Sequence, residues 1–410
     1  MSNPSRFRVS LAVLFSAGFL ALATGCCTSD DSCEGGSGFI TQAVTVADLN
    51  GSGGLDILTA NAVFQDGHST PGFLTTRLQN PSAPGTFLDP LRSGTGIYPL
   101  AMAVGDLDGD GRPDAVVANY LSSETSHAVS VHMQSTTAGT FLAPIQLSVG
   151  SRHPLDVAVA DLTGTGRLDI VVAASGGSDV LVFFHGTTPG TFLSSVSLPV
   201  SGDPAAIAVA DLTGDVTAPK PKDLVLAMAS GKVAVLLHGP ATGTFLTPVE
   251  YQTGADPVAV KIADIDGDGC PDILTANYSN GTNGLSILRQ NNISRGTFLA
   301  AQNLDTGDYA SASVAIGDLN GDGRKDIVVA NAGLPGDPGS VAVFLQDSVM
   351  DGSFLNPDLY RGYYGPLSVV IADLKGDGHP ALVVADGDPA IRWPDPLNPG
   401  RFQPPVWLRQ

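Results

Sequence analysis

One motif returns seven times along this chain, and the return constrains the fold more than any other feature. Its fullest copy is DLDGDGRPD at residues 106–114. Related turns open at Asp48, Asp106, Asp161, Asp211, Asp264, Asp318 and Asp373, at intervals of 58, 55, 50, 53, 54 and 55 residues. A unit of this size cannot bury its own apolar face. Successive units must therefore stack on one another, and the repeat is read before any single residue.

Each turn is preceded by small alternating apolar residues, as in VTVAD or VKIAD, and followed by an apolar run such as DILTAN or DIVVA. A strand, an acidic turn and a second strand are predicted. A third apolar segment (LVFF, VAVLL, VAVFL) leads to a Gly-x-Phe signature at Gly85, Gly139, Gly190, Gly243, Gly296, Gly352 and Gly400. The phenylalanines of that signature, from Phe87 to Phe402, head a fourth strand and are expected to pack between sheets. Four strands in each of seven units predict an all-β, seven-bladed β-propeller with four-stranded blades over residues 38–410.

Composition agrees with short strands and tight turns: 49 Gly and 29 Pro stand against 20 Lys plus Arg in 410 residues. The formal net charge of -20 argues against a nucleic-acid partner, because a phosphate backbone needs a basic surface. Half of the 40 acidic residues lie in the repeated turns, so the charge has a local cause.

With the first aspartate of each turn as position one, Asp106, Asp108, Asp110 and Asp114 fall at positions one, three, five and nine, and Arg112 at position seven offers its carbonyl. Such an oxygen-only set suits calcium. An EF-hand is excluded, because Val117 stands where a bidentate Glu is required. The nine-residue loop between strands instead resembles the FG-GAP or VCBS repeats of integrin-alpha-like β-propellers. That resemblance implies calcium at the loops, with the ligands carried over by position. Asp264, Asp266, Asp268, Cys270 (through its carbonyl) and Asp272 form a second full set, and Asp318, Asn320, Asp322, Arg324 and Asp326 a third. Weaker sets are Asp48, Asn50, Ser52 and Asp56; Asp161, Thr163, Thr165 and Asp169; and Asp211 with Asp215, where VTAPKPK interrupts the loop. The seventh loop carries Lys375 and Ala381 at positions three and nine, so no calcium is expected there and the lysine is a candidate for replacing the ion's charge. The alternative for every loop is an Asp-rich turn bonded to its own backbone.

The amino terminus places Arg6 and Arg8 before an apolar stretch from Leu11 to Ala23, which reads as a removed export signal over residues 1–25. Ala23-Thr24-Gly25-Cys26 resembles a bacterial lipoprotein cleavage site, so Cys26 is the expected lipid-bearing residue and residues 26–37 a tether. The protein is then expected outside the cytoplasm, lipid-anchored at the bacterial outer membrane or cell surface and touching membrane only through that anchor, with a periplasmic or secreted protein as the alternative.

No nucleophile elbow, phosphate-binding loop or histidine metal motif is visible. His185 and His238 share one position, five residues before the glycine of Gly-x-Phe, where Gln134, Asn291 and Asp347 stand in other units, and it reads as a polar surface turn. The reading that follows is an exported calcium-binding propeller serving as an adhesion, ligand-binding or scaffolding module, more a binder than an enzyme, with an unknown protein or glycan ligand. A polysaccharide lyase or hydrolase with its site at the channel is the alternative, and a purely structural surface spacer is the third reading.

Overall fold

The computed structural model describes residues 38–65, 68–121, 129–214, 222–278, 282–334 and 338–408. The expected leader, the tether, Cys26 and Asp215 lie outside the described residues.

Every unit opens with a strand rich in small residues: Gly38–Ala47, Leu91–Gly105, His153–Ala160, Pro204–Ala210, Pro257–Ala263, Ser311–Gly317 and Ser368–Ala372. These seven strands pack side by side in chain order, and the last lies against the first. Alanine and glycine permit that approach; a Cβ on Gly105 would stand 3.2 Å from Val159 Cγ2 on the next first strand and 2.6 Å from Leu168 Cδ1 in the turn that follows it. The second strands, among them Asp114–Leu121, Asp169–Ser175, Asp272–Asn277 and Asp326–Asn331, are buried along almost their whole length. Continuous apolar runs such as DIVVAN fit strands covered on both faces.

Hydrogen bonding corrects the expected seven-bladed propeller of separate four-stranded blades. The described strands form six open sheets, one of seven strands and five of four, and none closes on itself. The cause is the 15-residue strand Leu91–Gly105. Its first half pairs with the third strand of unit one (Phe73 with Gly94), and its second half with the second strand of unit two (Gly105 with Asp114). Tyr98, at a φ of 57°, stands at the bend between the halves, so units one and two share one sheet.

Packing continues where hydrogen bonding stops. Each apolar cluster bridges two successive units: Val116 and Val131 meet Ile170 and Leu181 between units two and three, and Val44 and Ile57 meet Leu374 and Val383 between the first unit and the last. At about 25 cal/mol per Å² of apolar surface removed from water, these inter-unit contacts are the main stabilising term. No helix among the described residues is long and apolar enough to cross a membrane.

Candidate functional site

The acidic turns form one end of the molecule. In six units the aspartate at position nine (Asp56, Asp114, Asp169, Asp272 and Asp326), or at position thirteen in the interrupted fourth loop (Asp223), is buried at the start of the second strand, at most 1% exposed. In Asp114, Oδ2 accepts the Leu107 amide at 2.9 Å and Oδ1 the Gln134 amide at 2.7 Å; Asp326 holds Leu319 and Gln346 in the same way at 2.8 Å each. This aspartate latches the turn to the end of the third strand. Burial pushes Asp114, Asp272 and Asp326 up to about 6, against the pull of those amides. Unit seven lacks both halves of the latch: Ala381 replaces the aspartate, and Pro394, which has no N–H, stands in the strand-end bridge occupied elsewhere by Gln79, Gln134, His185, His238, Gln290 and Gln346.

The position-one aspartate organises the turn itself. Asp106 accepts the amides of Gly109, Asp110 and Gly111; Asp264 those of Gly267 and Gly269; Asp318 those of Gly321 and Gly323. Asp48, Asp161 and Asp211 do the same in the weaker loops. Gly109 and Gly111 curl the chain at φ of 79° and 85°, with open space around both, so conformation and not crowding requires glycine there. These turns are thus bonded to their own backbone, an arrangement that leaves carboxylate oxygens free to converge.

Two of the predicted ligand sets also converge. Asp106, Asp108 and Asp114, and separately Asp264, Asp266 and Asp268, each bring carboxylate oxygens within 4.8 Å of one another, close enough to hold a metal ion. Asp110 turns to Arg112, and Asp272 is outside the second group. Cys270 is buried and its amide donates to Asp268 Oδ1 at 2.8 Å. In loop six Asp318, Asp322 and Asp326 form no such group among the described residues; Asn320 Oδ1 accepts the Asp322 amide at 2.9 Å, and Arg324 spans Asp322 and Asp351. Asn50 and Ser52 accept loop amides, and Thr163 and Thr165 bond to each other at 3.1 Å, with Thr165 also meeting His185. Lys375, the candidate for replacing an ion's charge, has its Nζ 4.3 Å from the centroid of the Trp393 ring.

A second constellation lies at the centre, where the alternative reading put a site but the sequence named no residues. The seven first strands enclose a cavity of about 240 Å³ lined by residues from every unit. Most of its lining is Ala, Val and Leu, yet Asp156, Asp203, Lys261, Gln42 and Ser175 also face it. Asp156 Oδ1 accepts the Val157 amide at 2.8 Å and Oδ2 the Ile207 amide of the next unit at 2.9 Å. Ser313 and Ser368 make the same cross-unit bond at 3.3 and 3.4 Å, so position alone explains the clip and not the charge. Burial raises the Asp156 pKa, the two amides and the Lys261 ammonium opposing it. Asp203 Oδ1 accepts the Gly176 amide at 3.1 Å. Gln42 Nε2 and Ser175 Oγ, on side chains 4% and 3% exposed, have no hydrogen-bond partner. Leaving such groups buried and unpaired costs about 1–3 kcal/mol each, which a ligand's polar groups would offset.

A signal for this site was present in the repeat. Five residues before the turn aspartate the other units carry Ala43, Ala101, Ala206, Ala259, Ser313 and Ser368, whereas unit three carries Asp156. Three residues before it, Lys261 stands alone against Thr45, Ala103, Ala158, Ala208, Ala315 and Val370.

The FG-GAP-like repeat matches residues 48–117, 161–218, 222–275, 271–329 and 318–384, and the chain belongs to the FG-GAP-like repeat family. Curated proteins give no significant match. Among solved structures, a candidate 6-phosphogluconolactonase from Bacteroides fragilis is similar at TM-score 0.55 and 15% identity, over 92% of this chain and 97% of that one. A protein from Lactobacillus plantarum is similar at TM-score 0.53 and 14% identity, over 80% and 86%. The rhamnogalacturonan lyase of Bacillus licheniformis is similar at TM-score 0.50 and 15% identity, over 85% and 70%. At these identities the likeness concerns the fold. The expectation of a calcium-binding propeller serving as an adhesion module, more a binder than an enzyme, is not retained: the sheets are open, and the similar folds include those of a candidate lactonase and a lyase. The expected signal and lipoprotein segments lie outside the described residues, and the convergent carboxylates suit a metal ion without singling out calcium.

Proposed function

We propose that the protein is a hydrolase acting on carbohydrate at the central cavity. One observation carries this reading: a carboxyl with its pKa raised by burial, Asp156, shares a cavity with a second carboxylate, a lysine and two unpartnered polar groups. Two carboxyls lining one site are the usual equipment for cleaving a glycosidic bond. Asp156, held by two amides, donates its proton to the departing glycosidic oxygen. Asp203, from the neighbouring unit, takes a proton from the attacking water. One C–O bond breaks, the elements of water are added, and Lys261, Gln42 and Ser175 hold sugar hydroxyls. The enzyme names of the similar structures accord with carbohydrate chemistry.

The acidic turns support the site from outside it. A hard divalent cation at the Asp106 and Asp264 loops would bind their converging oxygens, and calcium is the ion such a donor set suits. For export, Arg6, Arg8 and the apolar stretch after them are the support, and Ala23 to Cys26 for a lipid anchor.

The test is release of reducing ends from neutral polysaccharides, and of reducing or unsaturated ends from uronic-acid polysaccharides, by the full chain, its Asp156→Asn variant, its Asp203→Asn variant and its Lys261→Ala variant. Activity lost in both aspartate variants is the expected result. Activity unchanged by either aspartate substitution, or none on any glycan, removes the reading; an unsaturated product that depends on Lys261 and not on Asp156 would point to elimination instead of hydrolysis.

A further inference from the structure

The cavity is small for a ligand site, so a glycan chain can place little more than one group inside it, and the rest must lie on the surface around its mouth. The lining reaches the face away from the acidic turns, where Ser175, Asp203 and Ala229 stand at strand ends and form the rim considered as its mouth. Residues around that face do not repeat. Eight residues before the turn aspartate, units two and three carry Tyr98 and His153, while units four and five carry Asp203 and Asp256.

The first of these sectors is aromatic and continuous. Phe64 meets Tyr98 at a centroid distance of 5.6 Å, Tyr98 meets Tyr120 at 6.1 Å, and Tyr120 meets His153 at 5.1 Å with the rings inclined at only 35°. Tyr98 is buried beneath the row, whereas Phe64, Tyr120 and His153 are half-buried. His153 Nδ1 lies 3.0 Å from the Tyr120 carbonyl. A carbonyl only accepts, so Nδ1 donates and Nε2 of the neutral ring is left as an acceptor.

The row leads to the cavity. His153 is paired in register with Ser175, whose buried, unpartnered hydroxyl lines the cavity wall. Leu100 and Leu155, two residues beyond Tyr98 and His153, line it as well.

We infer that Tyr120, His153 and Ser175 form a sugar-binding subsite that lays a neutral glycan chain along the aromatic row and feeds its end into the cavity; this rests on the carbohydrate reading above. Aromatic faces take the apolar C–H face of a sugar ring, His153 Nε2 accepts a ring hydroxyl, and Ser175 Oγ bonds the residue that enters the cavity. A neutral chain is favoured over a polyanion, because Asp203 and Asp256 flank the mouth and the protein carries a formal charge of -20.

The probes are cellohexaose, xylohexaose and mannohexaose, titrated calorimetrically into full-length Asp156→Asn protein so that none is consumed, with polygalacturonate as the anionic control. At least one hexasaccharide is expected to bind, at least tenfold more weakly once Tyr120→Ala or His153→Ala is added, and with an intermediate loss for His153→Phe, which keeps a ring and removes the acceptor. Unaltered melting temperatures confirm that the variants fold, and His153→Phe carries the test if His153→Ala does not. No binding of any hexasaccharide, binding indifferent to Tyr120 and His153, or tighter binding of polygalacturonate overturns the subsite. Binding that depends on His153 in a chain without hydrolytic activity keeps the subsite and removes the catalytic reading. Hydrolysis with a KM unmoved by His153→Ala does the reverse.

Discussion

The two ends of the molecule are built on opposite principles. At the acidic end the units agree: the same aspartate caps the same amides in loop after loop, and the aspartate latch recurs in six of seven. At the mouth they differ, with aromatic residues on two successive units and carboxylates on the next two. A feature that every unit repeats serves what every unit needs, a closed turn between its first two strands. A feature found in one unit alone, such as Asp156 or Lys261, answers to something at the centre that is not sevenfold.

The comparison breaks most sharply if activity depends on the repeated end. Replacing Asp156 by Asn should lower the hydrolytic rate by roughly 10²–10⁴-fold, the range for losing a general acid, and Asp108→Asn should leave it nearly unchanged, as steady-state kinetics would show. Because burial raises the Asp156 pKa and the protonated form is the active one, the rate should fall as pH rises through that pKa.

Stability should show the converse. Asp326→Ala strands the Leu319 and Gln346 amides, for an expected loss of about 3 kcal/mol in urea unfolding. Ala381→Asp in unit seven should give no gain, since Pro394 has no amide to offer.

Next in size is a buried base. His132 lies between Ser130 and Phe141 with no exposed surface, and burial lowers its pKa to about 4. The unfolded chain takes up that proton near pH 6.5 and the folded chain only near 4, so this contribution to stability is present above 6.5 and is lost as pH falls between the two. The loss is about 3 kcal/mol in full. Unfolding of wild type and His132→Gln should therefore converge as pH drops from 7 to 4.5, and parallel curves would contradict it.

The smallest effect concerns the cation. Calcium affinity, read by titration calorimetry, should weaken about tenfold for Asp266→Asn and not at all for Thr163→Ala. It should also decline below pH 6, where a proton competes for Asp114.

Much of this was legible from residues alone. The turn spacing, the DILTAN-type runs and the paired glycines announced strand, acidic turn and strand, and those elements are seen. The aspartates that close the turns were legible as carboxylates but not as latches, because their amide partners lie some 15–23 residues further on, at the end of another strand. The equivalence of Gln290 and Gln346 with His185 and His238 was hidden for a related reason: turns of different length shift the count back from Gly-x-Phe, and only the bridge to the phenylalanine restores the alignment.

The sequence by itself determined the repeat, the all-β character and the chemistry available in each turn, because these depend on neighbours along the chain. The tertiary structure alone decided that Leu91–Gly105 would serve two units in one sheet, and that Gln42, Asp156, Ser175, Asp203 and Lys261 would face a common cavity. Those outcomes depend on how the first strands of all seven units close on one another. Packing between units sets that closure, and no local pattern encodes it.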